Sequence, residues 1–214
     1  MNIKKQNIIF VAGLHGNEKI PVKALEENNI PFILGNPRAR KKNIRFVERD
    51  LNASFGMRGR SYEIKRAAEL LKRISKSSLV VDFHTTAALA PFVIICSRKM
   101  IPLAAMVGLR HVVIMKYNVK RRHALINYRD GISIETGNHT SKKSYNLTLK
   151  IVKNILSGKK HPIKVYEVYD KITEPGRYVN FKKHHGGFIP VLAGEKEYTK
   201  AYHIYGLKAR EIDA

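Results

Sequence analysis

Short apolar runs alternate with segments of helical period along most of the chain, and this alternation restricts the possible folds more than any other feature. IIFVA at residues 8–12 reads as a first strand, a helical pattern follows at 22–27, and PFILGN reads as a second strand ending at Asn36. Ser61 has the character of an N-cap, and Ile64, Ala67, Ala68, Leu71 and Ile74 fall on one helical face beyond it. SLVVDFH then reads as a buried strand, with further strands expected at 92–95, 111–115 and 131–136. A last helix, with Leu147, Ile151, Val152, Ile155 and Leu156 on one side, should stop near Gly158. Such an order predicts an α/β fold, a sheet flanked by helices. From about His161, β-branched and aromatic residues lie between Pro162, Pro175, Gly176, Gly186 and Gly187, the texture of a small β-rich C-terminal domain. The predicted division is therefore 1–158 and 159–214. Residues 37–60 have no sustained period, and a stretch that long without structure suggests a functional loop.

With 214 residues, 44% of them hydrophobic, the chain can fill one sizeable core with a small appendage. Asp82 and His84 interrupt the apolar stretch around them well short of membrane-spanning length, so no membrane association is expected. Lys4 and Lys5 ahead of the first apolar run imitate a secretory signal, but that run is short and leads straight into GLHGNE, as a strand would. The single cysteine, Cys96, excludes an intramolecular disulfide and makes a cytoplasmic setting the default. Its context, FVIIC, suits a core residue better than a nucleophile.

Forty Lys and Arg against 17 Asp and Glu leave a net charge of +23. Nucleic-acid affinity, attraction of acidic small substrates and a heavily solvated surface all account for such an excess. Its dispersion over Arg38, Arg40, Lys41 and Lys42, over 120–122, and over Lys142, Lys143, Lys159 and Lys160 favours the solvated surface. The oligomeric state is unspecified by the sequence, and a homo-oligomer stays open.

GLHGNE carries the strongest chemical signal. His15 and Glu18 stand three residues apart at the carboxyl end of a predicted strand, where a helix begins, and both can reach one cation. His84 also stands at a strand end, and in sheets of this type the carboxyl ends of strands converge on the ligand crevice. Two histidines and a glutamate form a suitable catalytic zinc set, because three protein ligands leave a fourth position for water or substrate. Zinc lowers the pKa of bound water to roughly 7, which supplies hydroxide at neutral pH. Asp82 precedes His84 by two residues, on the same face of the strand, where it can orient the imidazole from behind. An isolated HxxE is a weak signal and arises by chance; Gly13 and Gly16 strengthen it by allowing a tight turn.

Six stretches, in order, resemble motifs of the succinylglutamate desuccinylase and aspartoacylase family, zinc acylases related to the zinc carboxypeptidases. They are GLHGNE, NPRA at 36–39, IRFVERDLN at 44–52, DFHTT at 82–86, ETG at 135–137 and PVLAGEKEY at 190–198. The resemblance implies a zinc-carboxypeptidase-like mixed sheet flanked by helices with a short β-rich C-terminal domain. It also implies one Zn2+ per chain and hydrolysis of a small-molecule acyl amide, with zinc-bound water as the nucleophile. Glu135 would serve as the general acid and base, and Arg45 would stabilise the oxyanion. Asn52 and Tyr198 would bind substrate, and Asp50 would support the loop. Each residue has a plainer reading: an exposed strand-end glutamate, a solvated arginine, an Asx turn, a tyrosine packed in the small domain.

The family motif usually continues as DLNR, its arginine binding a substrate carboxylate, whereas here Ala53 follows Asn52. Hydrogen bonds to charged groups contribute about 1.5–3 kcal/mol, so the loss would weaken an acidic substrate roughly tenfold to a hundredfold or more. Arg58, Arg60, Arg121, Arg122 and Arg129 are the candidates to compensate. His184 and His185 are adjacent on a loop and fit exposed polar residues better than a second metal site. The sequence thus favours a zinc deacylase, with a basic nucleic-acid-binding protein on an acylase-like fold as the alternative.

Overall fold

A computed structural model of the chain describes residues 7–86, 90–115, 122–195, 199–200 and 203–213. Among these residues nine strands form one mixed sheet: β1 (Ile8–Ala12), β2 (Ile33–Leu34), β3 (Leu79–His84), β4 (Phe92–Ile95), β5 (His111–Ile114), β6 (Gly131–Glu135), β7 (Lys164–Ile172), β8 (Ile189–Val191) and β9 (Gly206–Ile212). Their order across the sheet is β2-β1-β3-β6-β4-β5-β7-β9-β8. The strands β2, β1, β3 and β6 run parallel, so their carboxyl ends share one edge; β4 runs antiparallel to β6. Parallel neighbours buried on both faces explain why LVVDFH is fully buried rather than alternating.

Helices cover both faces. On one side α1 (Lys19–Glu27), α4 (Ile101–Met106) and α5 (Lys142–Ser157) pack Val22, Leu25, Leu103, Ile151 and Ile155 against Phe10, Val81, Phe83 and Ile134. On the other, α3 (Tyr62–Arg73) buries Ala67 and Leu70 against Val11, Val80, Leu51 and Phe55. A fully buried Leu or Ile stabilises by roughly 1.5–3 kcal/mol relative to exposure, so these two layers fix the sheet between them. The Ser61 hydroxyl accepts from the Ile64 amide and starts α3 at the predicted residue. Gly158, at φ 68°, ends α5, and the strands beyond it continue the same sheet: β7 pairs parallel to β5, and β9 antiparallel to β7.

Three expectations from periodicity are corrected. Residues 37–42 are not loop but α2 (Pro37–Lys42), started by Pro37 and by the Asn36 carboxamide, which accepts from Ala39 N at 3.0 Å. The helix has no apolar stripe because only Ala39 is buried. In α3 the buried face includes Glu63 and Leu70, while Ala68 is exposed; a buried carboxylate in that face broke the pattern. Leu156 is 68% exposed on α5, whose inner face takes Ser144 and Thr148 instead. The basic side chains of Arg38, Lys41, Lys42, Lys142, Lys143, Lys159 and Lys160 are exposed on separate elements. Among the described residues no helix is long and apolar enough to cross a membrane.

Candidate metal centre

The centre begins where β1 stops. Gly13 turns the chain at φ +71°, a conformation that suits glycine; a Cβ there would lie 2.9 Å from Leu34 Cδ1. The turn closes with Glu18 N donating to His15 O at 3.2 Å, and Glu18 becomes the residue before α1. Both side chains thereby point back over the sheet edge, where β3 delivers His84. His15 Nδ1 lies 2.7 Å from Glu18 Oε1, and His84 Nδ1 lies 3.0 Å from Glu18 Oε2. All three residues are buried, and their ligand atoms lie within 4.8 Å of one another. It is the one group of three or more His, Cys, Asp or Glu among the described residues that could hold a metal ion.

Behind each imidazole stands another carboxylate. His84 Nε2 is 2.7 Å from Asp82 Oδ2, which also accepts from Ser133 Oγ at 3.2 Å; His15 Nε2 is 3.0 Å from Asp50 Oδ1. An Nε2–H donated to each carboxylate leaves both Nδ1 atoms facing Glu18 as the lone-pair side, the arrangement in which metal-ligating histidines are held. Burial raises the Glu18 carboxyl, but the charges and hydrogen bonds of His15 and His84 outweigh it and hold it well below its ordinary value. Burial likewise lowers His84, yet Asp82 and Glu18 together drive it well above the ordinary imidazole value. Two imidazoles and a carboxylate in a buried site form a donor set that zinc takes.

The loop from α2 closes over this cluster. Gly16 N donates to Arg45 O at 3.1 Å, and Arg45 Nη2 donates to Asp50 Oδ2 at 3.1 Å, so one carboxylate joins the arginine to His15. Asn52 is buried in a single 3-10 turn, Leu51–Ala53; its Oδ1 accepts from Leu125 N at 3.1 Å, and its Nδ2 lies 3.4 Å from His84 Nε2. Glu135, half-buried, pairs in register with His84 across β3 and β6, which by the pairing rule puts both side chains on the same face. Tyr198 and Arg121 lie outside the described residues.

Some polar groups at the centre carry no sequence signal. Thr86 Oγ1 donates to Glu195 Oε2 at 2.7 Å, tying the segment after β8 to the end of β3. Glu63 accepts from the amides of Val47, Glu48 and Arg49 in the loop after α2. Neither could be found from spacing, because each partner is remote in the chain. Of the arginines considered as substitutes at position 53, Arg129 is committed elsewhere: it donates to Leu71 O, to Ile74 O at 2.9 Å and to Tyr128 O at 2.7 Å. Its guanidinium caps the end of α3, where a cation is favoured. Arg58, Arg60 and Arg122 are exposed.

Fold and centre together define an α/β protein of the carboxypeptidase-like class. Residues 4–122 match the succinylglutamate desuccinylase/aspartoacylase catalytic domain, and the chain belongs to that family. A probable aspartoacylase of Prochlorococcus marinus (strain AS9601) is 36% identical over 106 residues, covering 39% of this chain and 35% of that protein. A succinylglutamate desuccinylase of Pseudomonas paraeruginosa (strain DSM 24068 / PA7) is 34% identical over 102 residues, covering 37% of this chain and 31% of its own length. The match thus spans about a third of these relatives. In fold, the chain is similar to the succinylglutamate desuccinylase from Chromobacterium violaceum, with a TM-score of 0.72 at 15% identity over 98% of this chain and 85% of that one. Csd4, a D,L-carboxypeptidase of Helicobacter pylori, superposes with a TM-score of 0.60 at 13% identity over 72% of this chain and 51% of its own.

Proposed function

We propose that the chain is a zinc-dependent amidohydrolase that cleaves the amide of an N-acyl amino acid or a related small acyl amide. The observation that carries this reading is the doubled carboxylate–histidine arrangement, Asp50 behind His15 and Asp82 behind His84, with Glu18 between the two Nδ1 atoms. His15, Glu18 and His84 would hold one zinc ion per chain. A zinc ion bound there supplies Lewis acidity and a source of hydroxide near neutral pH.

The chain's own residues do the rest. Asp50 and Asp82 keep the two imidazoles in one tautomer and orientation. Glu135, register partner of His84, takes a proton from the attacking water on its carboxylate and returns it to the leaving amide nitrogen. Arg45 faces the negative charge that develops on the carbonyl oxygen; loss of one such donor costs on the order of a hundredfold to a thousandfold in turnover. Asn52 and Tyr198 contact the substrate. In this reading residues 1–158 make the catalytic domain and 159–214 the smaller β-rich one, and the setting is cytoplasmic. Ala53 and the commitment of Arg129 to α3 support an acyl compound without a second carboxylate to anchor.

The test is a hydrolysis screen of N-acyl amino acids, varied in both acyl group and amino acid, with and without a chelator. About one zinc per chain and chelator-sensitive hydrolysis are expected, with His84→Ala losing both. Ala53→Arg should raise kcat/KM for acidic amino acids about tenfold or more relative to neutral ones. Full activity in metal-free protein would overturn the reading.

A further inference from the structure

Glu63 sits in the first turn of α3 with no exposed surface. A carboxylate buried so completely has to be satisfied by hydrogen bonds, and four donors converge on it. Val47 N donates to Oε1 at 2.7 Å and Asn36 Nδ2 to the same atom at 3.2 Å; Glu48 N and Arg49 N donate to Oε2 at 3.2 and 3.3 Å. Three consecutive backbone amides of one loop are thus gathered by one side chain. That loop lies between Arg45 and Asp50. Its near end is fixed by Gly16 N on Arg45 O, and Asn36, the fourth donor, also starts α2, which leads into the loop.

We propose that Glu63 is the positioning residue of the centre: by holding the amides of 47–49 it sets Arg45 and Asp50, and through Asp50 the ring of His15. The proposal rests on the functional reading above only for its catalytic consequence. Backbone amides in an irregular loop have no ladder to bond to, so without this carboxylate the three N–H groups turn to water and the loop loses its fixed shape. His84 is held by Asp82 from within the sheet and by Glu18, and it meets the continuation of the loop only at Asn52 Nδ2, at 3.4 Å. The effect should therefore fall on one side of the centre.

Glu63→Gln tests it, because an amide of the same shape must present its NH2 to one of the two donor pairs whichever way it turns. Ile155→Ala, a core truncation on α5 against the opposite face of the sheet, serves as the control for general destabilisation. Three readouts are compared: amide hydrogen exchange at 47–49, ring-nitrogen NMR signals of His15 and His84, and zinc affinity by chelator competition. In Glu63→Gln exchange at 47–49 should quicken about tenfold or more, the His15 signals should move while those of His84 stay, and zinc should bind about tenfold more weakly, the lower range for an outer partner of a ligand. The control should leave all three near wild type. Wild-type exchange at 47–49 in Glu63→Gln, or equal movement of both histidines, would overturn the proposal. A wild-type chain that takes up no zinc would instead overturn the functional reading, and the exchange and NMR arms would still decide the role of Glu63.

Discussion

Asp82→Asn removes a charge from the centre and keeps its shape. Asp82 has no exposed surface, its Oδ2 lies 2.7 Å from His84 Nε2, and its Oδ1 has no hydrogen-bond partner among the described residues. In the variant the carboxamide oxygen can still accept from Nε2–H, so the tautomer survives, but the bond becomes a neutral one. Hydrogen bonds to charged groups contribute about 1.5–3 kcal/mol and neutral ones about 0.5–1.5, a difference of about 1–1.5 kcal/mol. That corresponds to about tenfold in zinc Kd, and partners behind a metal-bound histidine typically account for about tenfold to a hundredfold. A second cost falls on the fold, because the new NH2 takes the place of an oxygen with no donor or acceptor beside it; a buried unsatisfied donor costs about 1–3 kcal/mol. The two effects separate experimentally. Competition against a chromophoric chelator near neutral pH reads the affinity, and melting with and without zinc reads the fold. Affinity should fall at least about fivefold, and zinc should raise the melting temperature less than in wild type. Unchanged affinity with a lowered melting temperature would refute the idea that Asp82 acts through His84.

Other outcomes follow from the same geometry. In metal-free protein the raised His84 contributes stability that is fully present below its ordinary 6.5 and is lost as the pH rises through its higher folded value. Urea titrations should show that decline and should lose it in His84→Gln; an equal decline in both would count against the assignment. The lowered Glu18 contributes in the opposite sense, its stability present above 4.5 and lost as the pH falls through the depressed value. Gly16→Ala should destabilise by about 1–3 kcal/mol, because a Cβ there would lie 2.1 Å from Ala39 C and 2.3 Å from Arg40 N, backbone that cannot yield without moving α2. A urea midpoint equal to wild type would contradict that contact. Burial pushes the Cys96 thiol up to about 11 despite Asn127 and Arg122, so alkylation at neutral pH should be slow in the native protein and fast in denatured protein.

The turn that carries His15 and Glu18 is legible because its signal is local: GLHGNE follows five apolar residues, and DFH ends a run that can only be a buried strand. Period and caps gave the same answer there, since Gly13, Ser61 and Gly158 act within a few residues of their own position. What stayed hidden is what depends on distant partners. PRARKK has no stripe to reveal α2, because a helix with one buried alanine is held by its N-cap and by the close approach of Gly16 rather than by a hydrophobic face. Asp50 could be marked as support for its loop, but its bond to His15, 35 residues away, could not be read from the chain.

Two of the residues that break the apolar pattern converge on the centre. Asp82 interrupts LVVDFH, and Glu63 lies inside the buried face of α3; each is an unfavourable choice for its element by burial alone. Each is tolerated because specific donors meet it, an imidazole and a hydroxyl for Asp82, three amides and a carboxamide for Glu63. Most of those donors belong to His84 and to the loop bearing Arg45 and Asp50, so these two departures from a simple core end at the same cluster. A chain selected for stability alone would place apolar residues at both positions, as replacing buried ionic groups with well-packed apolar ones is often neutral or stabilising. Retaining these two fully buried carboxylates therefore points to what they hold in place, His84 in one orientation and the 45–50 loop in one shape.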